Sequence, residues 1–144
     1  MSITTKDLKD VPDGDRVLDP NVYDFKVTQA RAITYEKDGD TIPALSIRAV
    51  CIGGPSQEDG MEPEDTEIDD FFPMGGYDAM KDGGTFVKQR RKAFLTACLG
   101  ELDGSDIDES DLVGEEFKAR TSKGKDRDGI AITKIARYLV GVVE

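Results

Sequence analysis

Apolar and polar positions alternate in five stretches of this chain, which is the pattern of half-buried β-strands. The first stretch spans residues 22–35 and changes phase midway, which predicts a β-bulge or a sharp bend. An Asp-Gly pair at residues 38–39 then carries the signature of a tight turn, and alternation resumes over residues 43–52. These two stretches therefore predict a β-hairpin.

A third strand and a single helix follow. Residues 66–74 alternate in a way that places Phe71 on the polar face of the strand and Phe72 on its apolar face. Residues 85–99 have helical spacing of apolar positions, with Thr85 as the expected N-cap. This stretch is the only strong helix prediction in the chain.

The last two strands are predicted at residues 115–123 and 130–143, with a glycine-bounded turn at 124–129. The element order is thus three strands, one helix and two strands. A mainly β protein of this order predicts a five-stranded OB-like Greek-key barrel with one helix between strands 3 and 4. We expect residues 1–20 to form an irregular N-terminal lead-in and residues 21–144 to form a single OB-like domain.

The C-terminal part of the sequence is basic, whereas the chain as a whole is acidic. The 144 residues carry a formal net charge of −11, yet residues 117–144 contain seven basic and three acidic side chains. Basic residues concentrated on two strands and the turn between them favour a local surface for a polyanion. Net acidity opposes strong binding to duplex DNA, because it repels phosphates at long range.

Several short stretches carry a resemblance to a known family. They are Lys37-Asp38-Gly39, the Asp-Asp-Phe-Phe run at 69–72, Leu-Val-Gly at 112–114 and Phe-Lys-Ala-Arg at 117–120. In this order the chain resembles phage-type single-stranded-DNA-binding proteins with an OB fold. The resemblance implies a non-enzymatic, sequence-tolerant DNA-binding protein of phage replication or recombination, with other replication or recombination proteins as partners.

A single-strand site requires cations for the phosphates and flat side chains on which bases stack. The aromatic candidates are Phe71 and, as secondary choices, Tyr138, Tyr35 and Tyr77, although acids beside Phe71 would repel phosphate. The cationic candidates lie on strands 2, 4 and 5 and in the hairpin between the last two: Arg48, Lys118, Arg120, Lys123, Lys125, Arg127, Lys134 and Arg137. Each has an ordinary alternative as well, since surface cations confer solubility and strand aromatics usually pack in a core.

Other function classes have less support. The chain has no histidine, which excludes histidine-based catalytic triads and metal sites, and its two cysteines are far apart. We therefore expect no enzyme activity, cofactor or metal. The start of the chain lacks the pattern of a signal peptide and no apolar run could span a bilayer, which favours a cytoplasmic protein without membrane contact.

Two alternatives stay open at this level. The acidic runs suggest a protein-interaction module, or a nucleic-acid mimic, that binds a basic partner protein. The apolar end at residues 137–144 replaces the acidic tail of many replication proteins, so it is expected to pair either within the barrel or with a second subunit in a homo-oligomer.

Overall fold

Two long antiparallel strands form the centre of the sheet in the computed structural model, which describes residues 2–6 and 16–140. They are β1 (Val22–Lys37) and β2 (Asp40–Gly53). The turn between them has positive φ at both central residues, 52° at Asp38 and 85° at Gly39, as the type I′ hairpin turn requires. The register of β1 against β2 shifts twice before residue 29, so the expected bulge is confirmed.

Three further strands complete one antiparallel sheet. They are β3 (Glu67–Pro73), β4 (Glu116–Lys125) and β5 (Ala131–Leu139), and the sheet order is β3-β2-β1-β4-β5. The helix α1 (Thr85–Leu99) lies between β3 and β4 in sequence. The prediction of five strands and one helix is confirmed.

The sheet is open between its two end strands. In the part of the chain that the structure describes, β3 pairs only with β2, and β5 pairs only with β4. A closed barrel is therefore not what the structure shows. Side chains bridge the end strands instead: the Tyr138 hydroxyl on β5 donates a hydrogen bond to the Asp70 carboxylate on β3.

Aromatic rings fill the space between the sheet and α1. Phe94 of the helix stacks on Phe72 with ring centroids 4.9 Å apart and contacts Tyr138 at 5.2 Å. Phe117 of β4 stacks on Phe25 of β1 at 5.4 Å and meets Phe94 edge-on. All five rings are buried, so one aromatic cluster joins the helix to four of the five strands.

The start of α1 differs from the sequence prediction. Thr85 is the first helical residue and not the N-cap, a position that Gly84 occupies with φ of 88°. A Cβ atom at Gly84 would lie 2.8 Å from Cβ of Tyr77, so only glycine fits there. The Asp82 carboxylate caps the helix from outside by accepting the backbone N–H groups of Gly84 and Phe86, and the hydrogen bond from Phe86 leads the causes that lower the pKa of Asp82.

The predicted N-terminal lead-in and the end of the predicted domain both include residues outside the described part of the chain. Residues 7–15 and 141–144 are not described, so the expected pairing of the C-terminal end lies beyond what the structure describes. Residues 16–20 have no regular secondary structure but reach the core, since Leu18 is fully buried. The backbone N–H of Leu18 donates to the Thr133 hydroxyl of β5 at 2.9 Å.

Adjacent phenylalanines on β3 test the orientation of that strand. Phe72→Ala should lower the free energy of unfolding by about 3–5 kcal/mol, because it leaves a cavity among buried rings. Phe71→Ala should cost roughly 1 kcal/mol, because that ring is exposed and has one aromatic neighbour. Urea denaturation of the two variants measures both values, and equal losses would contradict the assigned faces.

Candidate nucleic-acid interface

The outward surfaces of β4 and β5 bring together cations that lie far apart in sequence. Phe117, Ala119 and Thr121 point into the core, so Arg120 points outward, directly across from Arg137. Cross-strand partners lie on the same side of a sheet. The two guanidinium groups therefore share one exposed surface.

A register shift determines which β5 residues join them. It lies between Arg120 and Thr121, where β5 has one extra residue, Ala136, relative to β4. As a result Lys134 and Arg137, three positions apart, both oppose outward-facing residues. Without this bulge, strict alternation would place them on opposite faces.

The hairpin between β4 and β5 adds two exposed cations at the end of the sheet, where alternation along β4 places Lys125 on the side of Thr121. The Asp126 carboxylate accepts the backbone N–H groups of Asp128 and Ile130, both at 2.9 Å, and so holds the turn. Lys125 and Arg127 are exposed on either side of Asp126. Among the residues that the structure describes, no ion pair involves a group of five exposed cations that we call the basic face: Arg120, Lys125, Arg127, Lys134 and Arg137.

Three other candidate cations are in contact with acids. Lys118 Nζ lies 3.7 Å from the carboxylate of Asp24, its cross-strand partner on β1. Lys123 Nζ lies 3.9 Å from the carboxylate of Asp19. Such exposed pairs are worth about 0–1 kcal/mol, so either lysine can exchange its partner for a phosphate. Arg48 is different, because β1 separates its strand from β4 and the acids of β3 surround its guanidinium group.

The acids near Phe71 are largely compensated. Arg48 Nε donates to the Asp69 carboxylate at 2.9 Å, and Arg90 of α1 donates to Asp70 at 2.6 Å. These pairs reduce the repulsion of phosphate that the sequence predicts at Phe71. Arg48 is thus a residue that neutralises acids beside the candidate interface.

Phe71 is exposed, as the alternation of β3 predicts. Its ring is 37% accessible, faces Tyr35 edge-on at 5.1 Å, and pairs in register with Ser46 of β2. Tyr35 thus supports Phe71 from the neighbouring side of the outer surface. Tyr77 lies elsewhere, in the short turn before α1, where its hydroxyl accepts a hydrogen bond from Arg91.

Tyr138 is a core residue and not a surface residue. The bulge in β5 turns it inward, where its hydroxyl donates to Asp70 and its ring packs against Phe94. Burial, together with the charge of Asp70, raises the pKa of Tyr138 well above its ordinary value. Its ring is not open to a base, which corrects the sequence-based choice of Tyr138 as a stacking residue.

A groove lies between the open edges of β3 and β5, with a volume of about 590 Å³. We call it the β3–β5 groove; Phe71 and Ser46 line one side, and Lys134 lines the other. The groove also contains Phe86 of α1, whose ring is 63% exposed and which the sequence analysis missed. The available signal was its position outside the apolar arc of the helix.

Neither a protein-family model nor a curated protein matches this sequence. In the described residues no helix combines the length and the apolar character that crossing a membrane requires. The same part of the chain contains no group of three or more cysteine, aspartate or glutamate side chains placed to hold a metal ion.

The buried proton of Tyr138 leads to a pH prediction. Burial also raises the pKa of Cys98 to about 12, so the folded chain retains protons that the unfolded chain loses. The free energy of unfolding should therefore fall as the pH rises from about 9 to about 11. In Tyr138→Phe the fall above about pH 10 should be shallower, because one of these groups is gone.

Urea denaturation at a series of pH values measures this slope. Tyr35→Phe is the matched control, since it removes a hydroxyl group from the outer surface of the sheet. Identical slopes for the native chain and Tyr138→Phe would show that Tyr138 does not retain its proton through burial.

Proposed function

We propose that this protein binds single-stranded DNA without strong sequence preference and without catalysis, as part of phage DNA replication or recombination. The observation that carries the proposal is the basic face, whose five exposed cations adjoin the β3–β5 groove through Lys134. Cations for the phosphates and an exposed aromatic ring for the bases are the two elements of a sequence-tolerant single-strand site. Here Phe71 supplies the ring.

The fold class of the proposal is an OB-like barrel. An OB fold is a five-stranded, partly open Greek-key barrel, and the strand order of this sheet fits it with the opening between β3 and β5. The position of α1 between β3 and β4, packed against both and against β5, supports the same assignment. In OB folds the strand 4–5 loop takes part in binding, and Lys125 and Arg127 lie there.

The net charge of −11 is compatible with this function at moderate salt. The Debye length is about 10 Å at 0.1 M salt, so acids on distant surfaces are largely screened from a strand that lies on the basic face. If all five cations contact phosphates, the affinity should fall with a log-log salt slope of about −3.5. Such a slope is moderate for a nucleic-acid-binding protein.

An acidic interaction module is the second candidate. The observation that favours it is the exposure of two acidic loops, residues 58–65 and 101–111, whose carboxylates mostly face solvent. Such surfaces attract a basic partner protein and repel nucleic acid. Oligonucleotide binding separates the two candidates directly.

Charge reversal on the basic face is the test of the first proposal. Fluorescence anisotropy of a labelled poly-dT oligonucleotide should show binding at about 50 mM salt that weakens at about 200 mM, and weaker binding to matched duplex. Arg120→Glu/Arg137→Glu should reduce the affinity at least tenfold, because each lost charge-assisted hydrogen bond to phosphate is worth about 1.5–3 kcal/mol.

Lys81→Glu/Lys92→Glu is the matched control, with the same change in charge at two exposed sites outside the groove. It should change the affinity much less. If both double variants lose the same affinity for the oligonucleotide, the loss reflects net charge alone and the basic face is not the binding surface. Absence of binding to the oligonucleotide at low salt would refute DNA binding and move the acidic interaction module to first place.

A further inference from the structure

We propose that the β3–β5 groove holds an unpaired base of the bound strand, and that Phe86 of α1 is, with Phe71, one of its stacking residues. This inference rests on the proposed function and assigns a specific part of the molecule to the bases. The basic face would then follow the phosphates that flank the inserted nucleotide.

The exposure of Phe86 is the first observation. Its ring is 63% accessible, although its neighbours on α1 that face the sheet pack in the core, Phe94 foremost among them. A large ring in the first turn of a helix contributes little to stability when it is left in solvent. Phe86 lines the same groove as Phe71, where an exposed ring can stack on a base.

The backbone beneath each ring is fixed by a hydrogen bond from its own N–H group to an aspartate. The backbone N–H of Phe86 donates to Asp82 at 2.8 Å, so the first turn of α1 is fixed where the ring begins. Phe71 has its own backbone N–H bound to the Asp70 carboxylate at 2.8 Å and its ring supported by Tyr35. A fixed backbone limits the entropy that the two residues lose when a ligand binds.

The charges in the groove suit a nucleotide. Its two carboxylates, Asp69 and Asp70, are each paired with an arginine. The remaining cation is Lys134, whose stem crosses Gly124, where an added Cβ atom would lie 2.6 Å from the lysine Cδ. Lys134 thus lines the groove while its stem lies over β4, on the side of Arg120 and Arg137.

Size and charge together favour a nucleotide as the occupant. The volume of about 590 Å³ lies in the range of about 300–1,000 Å³ that is usual for small-ligand sites. Two exposed aromatic rings offer stacking surfaces that accept any base, which agrees with a sequence-tolerant binder. An apolar peptide side chain would use the rings but not the adjoining unpaired cations.

A tryptophan in place of Phe86 makes the groove visible in solution. The chain has no tryptophan, so Phe86→Trp introduces a single indole, which can be excited apart from the four tyrosines. A poly-dT oligonucleotide should quench its emission, whereas an abasic oligonucleotide of equal length, with the same phosphates, should quench it much less. Met61→Trp is the matched control, because Met61 is 56% exposed and lies outside the groove.

Loss of the ring gives the complementary measurement. In Phe86→Ala the preference of the protein for poly-dT over the abasic strand should fall by roughly 5- to 150-fold, the effect of one base stack. The affinity for the abasic strand itself should change little, because the phosphate contacts remain. Phe86 is exposed, so the variant retains the core of the native chain.

The outcomes separate this inference from the proposed function. Binding of poly-dT by the native chain, with no quenching of the indole emission in the Phe86→Trp variant and an unchanged preference for bases in Phe86→Ala, would overturn the inference alone. Absence of binding by the native chain would overturn both. Quenching at position 86 together with a reduced preference for bases would establish the groove as the base site.

Discussion

The hydrogen bonds that the Asp70 carboxylate accepts hold the two end strands of the open sheet near each other. The carboxylate lies on the inward-facing side of β3 and accepts hydrogen bonds from Arg90 of α1 and Tyr138 of β5. A carboxylate in such a place is costly unless it is paired and hydrogen-bonded. One side chain therefore connects three elements at the point where backbone pairing is missing, and it can do so only while all three remain together.

The same contact connects the core with the candidate interface. The guanidinium carbon of Arg90 lies 5.3 Å from the centre of the Phe72 ring and 5.9 Å from that of Tyr138, so the cation also packs on the aromatic cluster. Both Asp70 and Arg90 line the β3–β5 groove. The groove thus has one wall that is fixed by the core before any ligand arrives.

Local patterns were sufficient to predict most of the elements. The phase change in β1, the Asp-Gly turn and the opposite faces of Phe71 and Phe72 all follow from alternation along a single strand. The open edge between β3 and β5 did not follow, since it depends on how two distant strands meet. The cap of α1 was misplaced because the contact of Gly84 with Tyr77, which lies in the turn before the helix, has no sequence signature.

The cations of the candidate site could be predicted from the sequence, whereas its aromatic residues were predicted less well. Lysines and arginines that cluster in sequence indicate a basic region before the pairing of the strands is known. The cations of β4 and β5 could therefore be predicted from the sequence. Tyr138 was assigned to the surface because the bulge that turns it inward depends on the pairing of β4 with β5. Phe86 was missed although it lies outside the apolar arc of α1, because its place in the groove depends on how the helix meets β3 and β5.

The bulge in β5 also constrains how this strand can evolve. Its one extra residue, Ala136, sets at the same time which side chains enter the core and which carry charge outward. Lys134 and Tyr138 are four positions apart, so strict alternation would place both on the same face, and the bulge is what separates the charged side from the core. A substitution that straightened β5 would therefore bury a charged side chain or expose an aromatic ring, so the irregularity of this strand is itself under constraint.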